Sequence, residues 1–475
     1  MRLGSNTVLM SMATLVLGAR RDFPHHRVLS RQAAGVTGQS IIPDLLEGLE
    51  KNPALEVGIG INVNISADLD LDLGGFQYGS DKIRGVNLGG WLVLEKWLMP
   101  ELFNETGNAS IIDEWTWGEY QPRDQAESLM KQHWETWITE DDFRQIAALG
   151  LTHVRIPIGY WAFQVGPGEP YITGQQTYLD KGIEWARENG IKVLIDLHGV
   201  PGSQNGNDHS GRAGPIDWYN NATNVNRTLE VVRQIAQKYT LPPYSDVVTM
   251  FELINEPSVW ISPLFATVLK QYYLDAYEIV RRPFGEFGPT TDIIVLLQDG
   301  FQPMTWWGDF MTPNYNGGDY ERVWMDNHYY QAFNPSYGLL DAAGHINTTC
   351  NEAGVNFAQA QLPIVDGEWS MGLWGCLAND GVAQPNVGTC NDADPNFGSG
   401  YVRFNRAYWD VQTQIYEQVG NGQGWFYWTW KNHIDSPEWG YQLAVQDGWF
   451  PQDVTDHVHT RTELCHIVVI RDEPR

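Results

Sequence analysis

The chain has 475 residues and a formal net charge of −28. That length buries a large core without staples, and it fits one large domain or two to three ordinary ones. Such acidity excludes a nucleic-acid or anionic-membrane surface, because both call for basic patches. The 21 tryptophans and 21 tyrosines are more informative. Sugar rings present apolar C–H faces that stack on aromatic rings, so tryptophan enrichment alongside acidic residues points to carbohydrate. Core filling is the ordinary use of the same rings.

At the N-terminus, Arg2 precedes the apolar segment Val8 to Leu17, which ends in Gly18-Ala19 before Arg20-Arg21. This predicts a signal peptide over residues 1–19 and a secreted protein. The segment is too short to span a bilayer, and no later run approaches about 20 apolar residues. From Pro24 to Gly75 there is no aromatic residue. Residues 20–75 are therefore expected to be a pro-segment or flexible leader, with a packed domain over 76–465 and a separate tail at 466–475. The Leu/Asp alternation from Asp68 to Leu73 fits either an edge strand or an acidic leader. Six sequons, at Asn64, Asn104, Asn108, Asn221, Asn226 and Asn347, agree with a secretory route. Cys350, Cys376, Cys390 and Cys465 contain no C-x-x-C pair, so two disulfides are expected, in one of three connectivities.

From Ile83 the chain alternates strands and helices. Ile83 to Leu88 is a first strand, closed by Gly89-Gly90. Thr139 with Asp142 starts a helix as a capping box, and Gly150 stops it. His153 to Pro157 follows as a strand, then a helix on Leu179, Ile183 and Ala186, then the strand Ile191 to Leu197. Val247 to Ile254 is the fourth strand. Asp292 to Gln298, Val323 to Tyr330, Leu362 to Trp369 and Gly424 to Trp430 make eight. Eight strands separated by helices predict a single α/β domain, a (β/α)₈ TIM barrel, whose active site lies at the C-terminal ends of the strands. Arg155, His198, Asn255, Glu256, His328, Tyr330, Glu368 and Trp428 all fall at or near such exits.

Asn255-Glu256-Pro257 ends the fourth strand, and Gly367-Glu368-Trp369 ends the seventh. Glycosidic bonds are cleaved by two carboxyl groups, one acting as acid and the other as nucleophile or base. The acid must hold its proton near the working pH, so burial or a like charge has to raise it. Arg155 and Tyr330 are suited to keep the other ionised. Glu252 shares side-chain parity with Glu256 but lies about 13 Å further down the strand at about 3.3 Å per residue, which marks it as a paired buried acid. Asp366 is placed to support the site without doing chemistry. His198 and His328 lack H-E-x-x-H spacing or a third matched histidine, so no metal site is expected. No G-x-S-x-G elbow, P-loop or dinucleotide fingerprint is present.

Several long motifs follow one another in order. They are Arg84-Gly85-Val86-Asn87-Leu88-Gly89-Gly90-Trp91, His153 to Trp161, Asp196-Leu197-His198-Gly199 and Pro201 to Gly206. Asn255-Glu256-Pro257, Gly367-Glu368-Trp369-Ser370 and Trp428-Thr429-Trp430-Lys431 complete the set. With these, the chain from about Ile83 to Pro451 resembles the fungal exo-β-1,3-glucanases of glycoside hydrolase family 5, in clan A. The resemblance implies a retaining mechanism with Glu256 as acid/base and Glu368 as nucleophile, and no metal or organic cofactor. It implies support from Arg155, His198, Asn255, His328 and Tyr330, and a stacking tryptophan after strand eight, Trp428 with Trp430 as its rival. It also implies that Glu95 and Asp208 contact the innermost glucose and that Phe333 flanks the pocket entrance. Asn207 departs from the yeast-type pattern, which has a phenylalanine there to pair with the Phe333 position, so acceptor binding is affected.

The expected activity is release of glucose from the non-reducing ends of β-1,3-glucan by a secreted, monomeric enzyme whose partner is β-glucan polysaccharide or oligosaccharide. Cleavage of β-1,6-glucan, a broader β-glucosidase or transglycosylase, and a non-hydrolytic glucan-binding wall protein are the alternatives.

Overall fold

Runs of β-branched and apolar residues, buried on both faces, form the strands of the structure, a computed structural model that describes residues 75–373, 377–378, 386–387 and 400–466. The barrel strands are β1 (Ile83–Asn87), β2 (His153–Gly159), β3 (Lys192–Gly199), β4 (Val248–Glu252), β5 (Ile294–Gln298), β6 (Val323–Gln331), β7 (Ile364–Leu373) and β8 (Gly422–Tyr427). All neighbouring pairs are parallel, and β8 closes the ring by pairing with both β1 and β7. This is the (β/α)₈ barrel predicted from the strand pattern. The short antiparallel pair Leu377–Ala378 and Asn386–Val387 follows β7 outside the ring.

Helices fill the crossovers that parallel pairing requires. The barrel-flanking helices α1 (Glu140–Ala148), α2 (Gln175–Glu188), α3 (Ala222–Tyr239) and α4 (Pro263–Arg281) lead into β2 to β5. Asp142 accepts the Thr139 N–H at 2.7 Å, which makes the expected start of α1. Gly150, at φ 77°, ends its exit turn. Further on, α5 (Ala342–Asn351) and α6 (Ala353–Gln359) precede β7, α7 (Tyr401–Gln418) precedes β8, and α8 (Arg461–His466) ends the described chain.

Two apolar layers hold these elements. Inside the ring, Ile83, Leu194, Met250, Leu296, Trp324 and Phe426 fill the floor, and Phe76 and Tyr78 pack against them. The larger core lies between strands and helices. Because the floor is filled by apolar side chains, the inward-facing polar residues are left to the C-terminal end.

Several strand ends differ from the sequence reading. The strand β4 stops at Glu252, so Glu256 stands on the following turn with φ 45°. By contrast β7 runs on to Leu373, four residues past the expected end at Trp369, which puts Glu368 in mid-strand. Trp428 lies one residue beyond β8, and β5 begins at Ile294. Cys350 in α5 is bonded to Cys465 in α8, which selects one pair out of the connectivities. Cys376, Cys390, the 1–19 and 20–74 segments and residues 467–475 lie outside the described residues. Among the described residues no helix is long and apolar enough to cross a membrane.

Candidate active site

Arg155 on β2 is fully buried and organises the upper barrel. Its Nε donates to Glu252 Oε2 at 2.8 Å, and Nη1 donates to Glu368 Oε1 at 2.7 Å and Asn87 Oδ1 at 2.9 Å. Nη2 donates to Asn255 Oδ1 at 2.8 Å and lies 3.1 Å from Asp196 Oδ2. A guanidinium offers five donors in a planar fork, and here strands β1, β3, β4 and β7 each supply an acceptor to it. Three carboxylates surround the cation, and together they hold it charged against the burial that opposes charge.

Glu368 takes a second hydrogen bond, donated to Oε2 by the Tyr330 hydroxyl at 3.1 Å. Burial first, and then the neighbouring carboxylates, raise the Tyr330 phenol, so it remains a donor. Glu256 is held from a different side. His328 Nδ1 on β6 is 2.8 Å from its Oε1, and His209 Nε2 is 3.7 Å from its Oε2. Burial disfavours the His328 imidazolium, but Glu368, Asp326 and Glu256 outweigh it and raise the group. Burial likewise raises the Glu256 carboxyl, but the His328 bond and charge, with His209 and His198, override it and hold the carboxyl at about 2. The ligand-free site therefore departs from the expectation of a raised carboxyl at Glu256, because a cationic imidazole sits where the sequence reading allowed for burial or a like charge.

Glu256, His328 and Glu368 present ligand atoms that all lie within 4.8 Å of one another. Glu252, Asp326 and His328 form a second such group deeper in the barrel. The closeness of Glu256 to Glu368 is what a pair of carboxyls working on one bond requires.

Around this centre the other predicted residues take their places. His198 Nδ1 bonds to Asp196 Oδ2 at 2.6 Å, and its ring lies parallel to Trp428, 5.8 Å away. Trp430 instead is fully buried and donates Nε1 to Asp142 Oδ1 at 2.9 Å, away from the centre. Glu95 accepts from Trp97 Nε1 at 3.0 Å; burial, then Glu368 and Asp208, raise its carboxyl well above the usual range. Asp208 stands on a short 3₁₀ turn, Asp208–Ser210, capped by the exposed Asn207. Phe333 is 64% exposed and touches the rings of Tyr330 and Trp439. Glu252 is the paired buried acid that its parity implied. Asp366 accepts the Tyr329 N–H at 3.4 Å and is fully buried.

Five contributors had no role in the sequence reading: Asn87 and Asp196, which it named only within motifs, and Asp326, His209 and Trp439. Asp196 and Asp326 lie two residues before His198 and His328, so strand parity carried a signal for both. Trp439, which packs at 5.7 Å against Tyr330, and His209 belong to loops with no periodicity to mark them. A separate concavity of 490 Å³, lined by Trp115, Glu169, Arg212, Asp217 and Asn224 among others, borders the same loop that carries His209 but contains none of these groups.

Residues 121–434 match the profile of the family described as Cellulase (glycosyl hydrolase family 5). The chain is 40% identical over 390 residues to "Probable glucan 1,3-beta-glucosidase A" of Aspergillus fumigatus, covering 79% of this chain and 88% of that one. It is 38% identical over 400 residues to "Glucan 1,3-beta-glucosidase" of Blumeria graminis, covering 79% and 88%. Among solved structures, rutinosidase from Aspergillus niger superposes with a TM-score of 0.63 at 21% identity, over 79% of this chain and 99% of that one, a likeness of fold. The chain is a glycoside hydrolase, and it belongs to glycosyl hydrolase family 5.

Proposed function

We propose that this protein is a secreted, retaining β-glucan exo-hydrolase that releases glucose from the non-reducing ends of β-1,3-glucan. Glu368 is the nucleophile and Glu256 the acid/base. One observation carries the reading: two carboxylates with oxygens within 4.8 Å of each other are held in different ways. Glu368 is gripped by Arg155 and Tyr330, which favour its anion, while Glu256 is paired with a histidine that can exchange a proton with it. The spacing suits retention, which uses carboxyls about 5–5.5 Å apart, better than inversion at about 6.5–9.5 Å.

Glu256 donates a proton to the glycosidic oxygen as Glu368 attacks the anomeric carbon. Water then releases the sugar, giving its proton back to Glu256. The Glu256 side chain keeps 12% of its surface exposed in the free site. A sugar covering it removes that solvent, which disfavours the anion and shifts the His328–Glu256 pair toward the protonated carboxyl. Three buried polar atoms, Glu95 Oε1, His198 Nε2 and Asn255 Nδ2, have no protein hydrogen bond, the condition that sugar hydroxyls relieve. Trp428 supplies a ring beside them. The names of the relatives, glucan 1,3-beta-glucosidases, favour the β-1,3 linkage. The apolar segment Val8 to Leu17 and the Cys350–Cys465 disulfide support secretion.

Digestion of linear β-1,3-glucan tests this. Glucose alone from the first time point, released as the β-anomer, is expected. Early mixed oligosaccharides would sink exo action, and an α-anomer would sink retention.

A further inference from the structure

We propose that His209 is a positioning residue for the catalytic proton: it faces the oxygen of Glu256 that His328 leaves free, and its imidazole sets where that proton is released. The inference rests on Glu256 being the acid/base, and it adds a residue that this role does not itself require.

The geometry separates the two oxygens of one carboxylate. Oε1 is committed to His328 Nδ1 at 2.8 Å, within a buried layer that also contains Asp326. The oxygen left to meet the glycosidic bond is Oε2, and the imidazole next to it is that of His209, 3.7 Å away. That distance is too long for a hydrogen bond in the free protein, but short enough for a full charge interaction. The His209 side chain is 21% exposed, whereas His328 is sealed off, so His209 is the imidazole of the pair that meets solvent at the mouth. Its Nδ1 is buried without a hydrogen-bond partner, so no local bond pins the ring, and it is free to follow the carboxylate. The turn Asp208–Ser210 fixes its backbone, with Ser210 Oγ donating to the Asn207 carbonyl at 2.7 Å.

The titratable groups in contact with His209 are Glu256 from the turn after β4 and His198 from β3, whose ring is 5.5 Å away; Asp208 precedes it on its own turn. Glu256 is in turn faced by His328 from β6 and is within electrostatic reach of His198, Glu95 and Tyr330. In the first half-reaction the proton passes from Glu256 Oε2 to the glycosidic oxygen as the C1–O bond breaks. In the second, water returns a proton to the same oxygen. His209 gains and loses nothing over the cycle. As a cation it favours the Glu256 anion, so it eases proton release and lowers the pH above which the acid form is exhausted.

The test is the pH profile of kcat/KM for the full-length enzyme on a short β-1,3-gluco-oligosaccharide, whose poor leaving group needs the acid. His209→Asn and His209→Gln remove the imidazole and are expected to move the alkaline limb upward by about one pH unit. His209→Arg keeps a charge and is expected to leave the limb closer to wild type. The limb is read from the active fraction, so partial misfolding changes its height and not its position. Unmoved limbs in both neutral variants, or lower activity without a shift, overturn the proposal. Glu256→Ala on a dinitrophenyl β-glucoside separates the underlying reading. Azide rescue giving β-glucosyl azide upholds Glu256 as acid/base, and no rescue overturns that role and this inference together.

Discussion

His328 Nδ1 lies 2.8 Å from Glu256 Oε1 and 3.7 Å from Glu368 Oε2, so one imidazole touches both carboxylates. Without it, two anions would face each other in a site that burial makes poor in dielectric. The histidine is therefore a counterion shared by two groups with opposite tasks, and its position is set by Asp326 beneath it at 3.4 Å.

Glu368→Gln is expected to lower kcat on β-1,3-gluco-oligosaccharides by about 10⁴-fold or more, since a neutral amide cannot form the covalent intermediate. Arg155 keeps Glu252, Asp196 and the two asparagines as partners, so the fold is expected to persist. Kinetics and a thermal melt on the same preparation check both statements. Activity within tenfold of wild type would remove Glu368 from the nucleophile position.

Arg155→Met removes the one guanidinium that bridges Glu252, Asp196 and Glu368. Breaking a buried pair from one side leaves uncompensated charge and costs about 3–5 kcal/mol. Chemical denaturation is expected to report a loss of that order, together with a loss of turnover. A lost activity at unchanged stability would mean that the surrounding carboxylates take up protons at no cost, contrary to this picture.

The barrel was legible because β-branched strands, a capping box and glycine stops repeat in chain order, and the rim rule then gathered Arg155, Glu256 and His328. Strand ends were harder to place. Gly367, inside β7, is a packing residue: its N–H donates to Asp326 Oδ1 at 2.6 Å, and a Cβ there would fall 2.1 Å from Asp326 Oδ2. Close approach, not a turn, explains that glycine, and β7 continues through it. The Glu256 turn was legible only in part, since Pro257 signalled an end without revealing the positive φ of the residue before it. His209 and Trp439 sit on loops whose path depends on tertiary contacts, and no local pattern encodes that. The electrostatics of Glu256 depend on His328, 72 positions away, and could not be read before the strands were closed into a ring.

The His328–Glu256 pair has a calculable sign in pH. Glu256 is lowered from 4.5 to about 2, so its contribution to stability is full above about 4.5 and is lost as the pH falls toward 2. His328 is raised, so its contribution is full below 6.5 and is lost as the pH rises through its folded value. As the two describe one interaction, the stabilisation is fullest between those limits. The melting-temperature gap between wild type and Glu256→Gln is expected to be widest near pH 5–6, to narrow as the pH falls below about 4.5, and to close only near pH 2. A gap that stays constant from pH 3 to 7 would contradict the pairing.

The disulfide Cys350–Cys465 closes a separation of 115 residues and ties α8 to α5. That span contains β7, α7 and β8, so the link fastens the last third of the barrel to its own end. In the chain-entropy account a loop of this size stabilises by about 4–5 kcal/mol, and measured losses run about 2–5 kcal/mol. Cys350→Ser is expected to lower stability by that order while leaving kcat/KM within about twofold, because both cysteines lie on helices outside the ring of strands that carries Arg155 and Glu368. Chemical denaturation with parallel kinetics checks this. The double variant Cys350→Ser/Cys465→Ser should match the single one, since either change opens the same loop; a further loss in the double would show that the cysteines matter for packing beyond the bond.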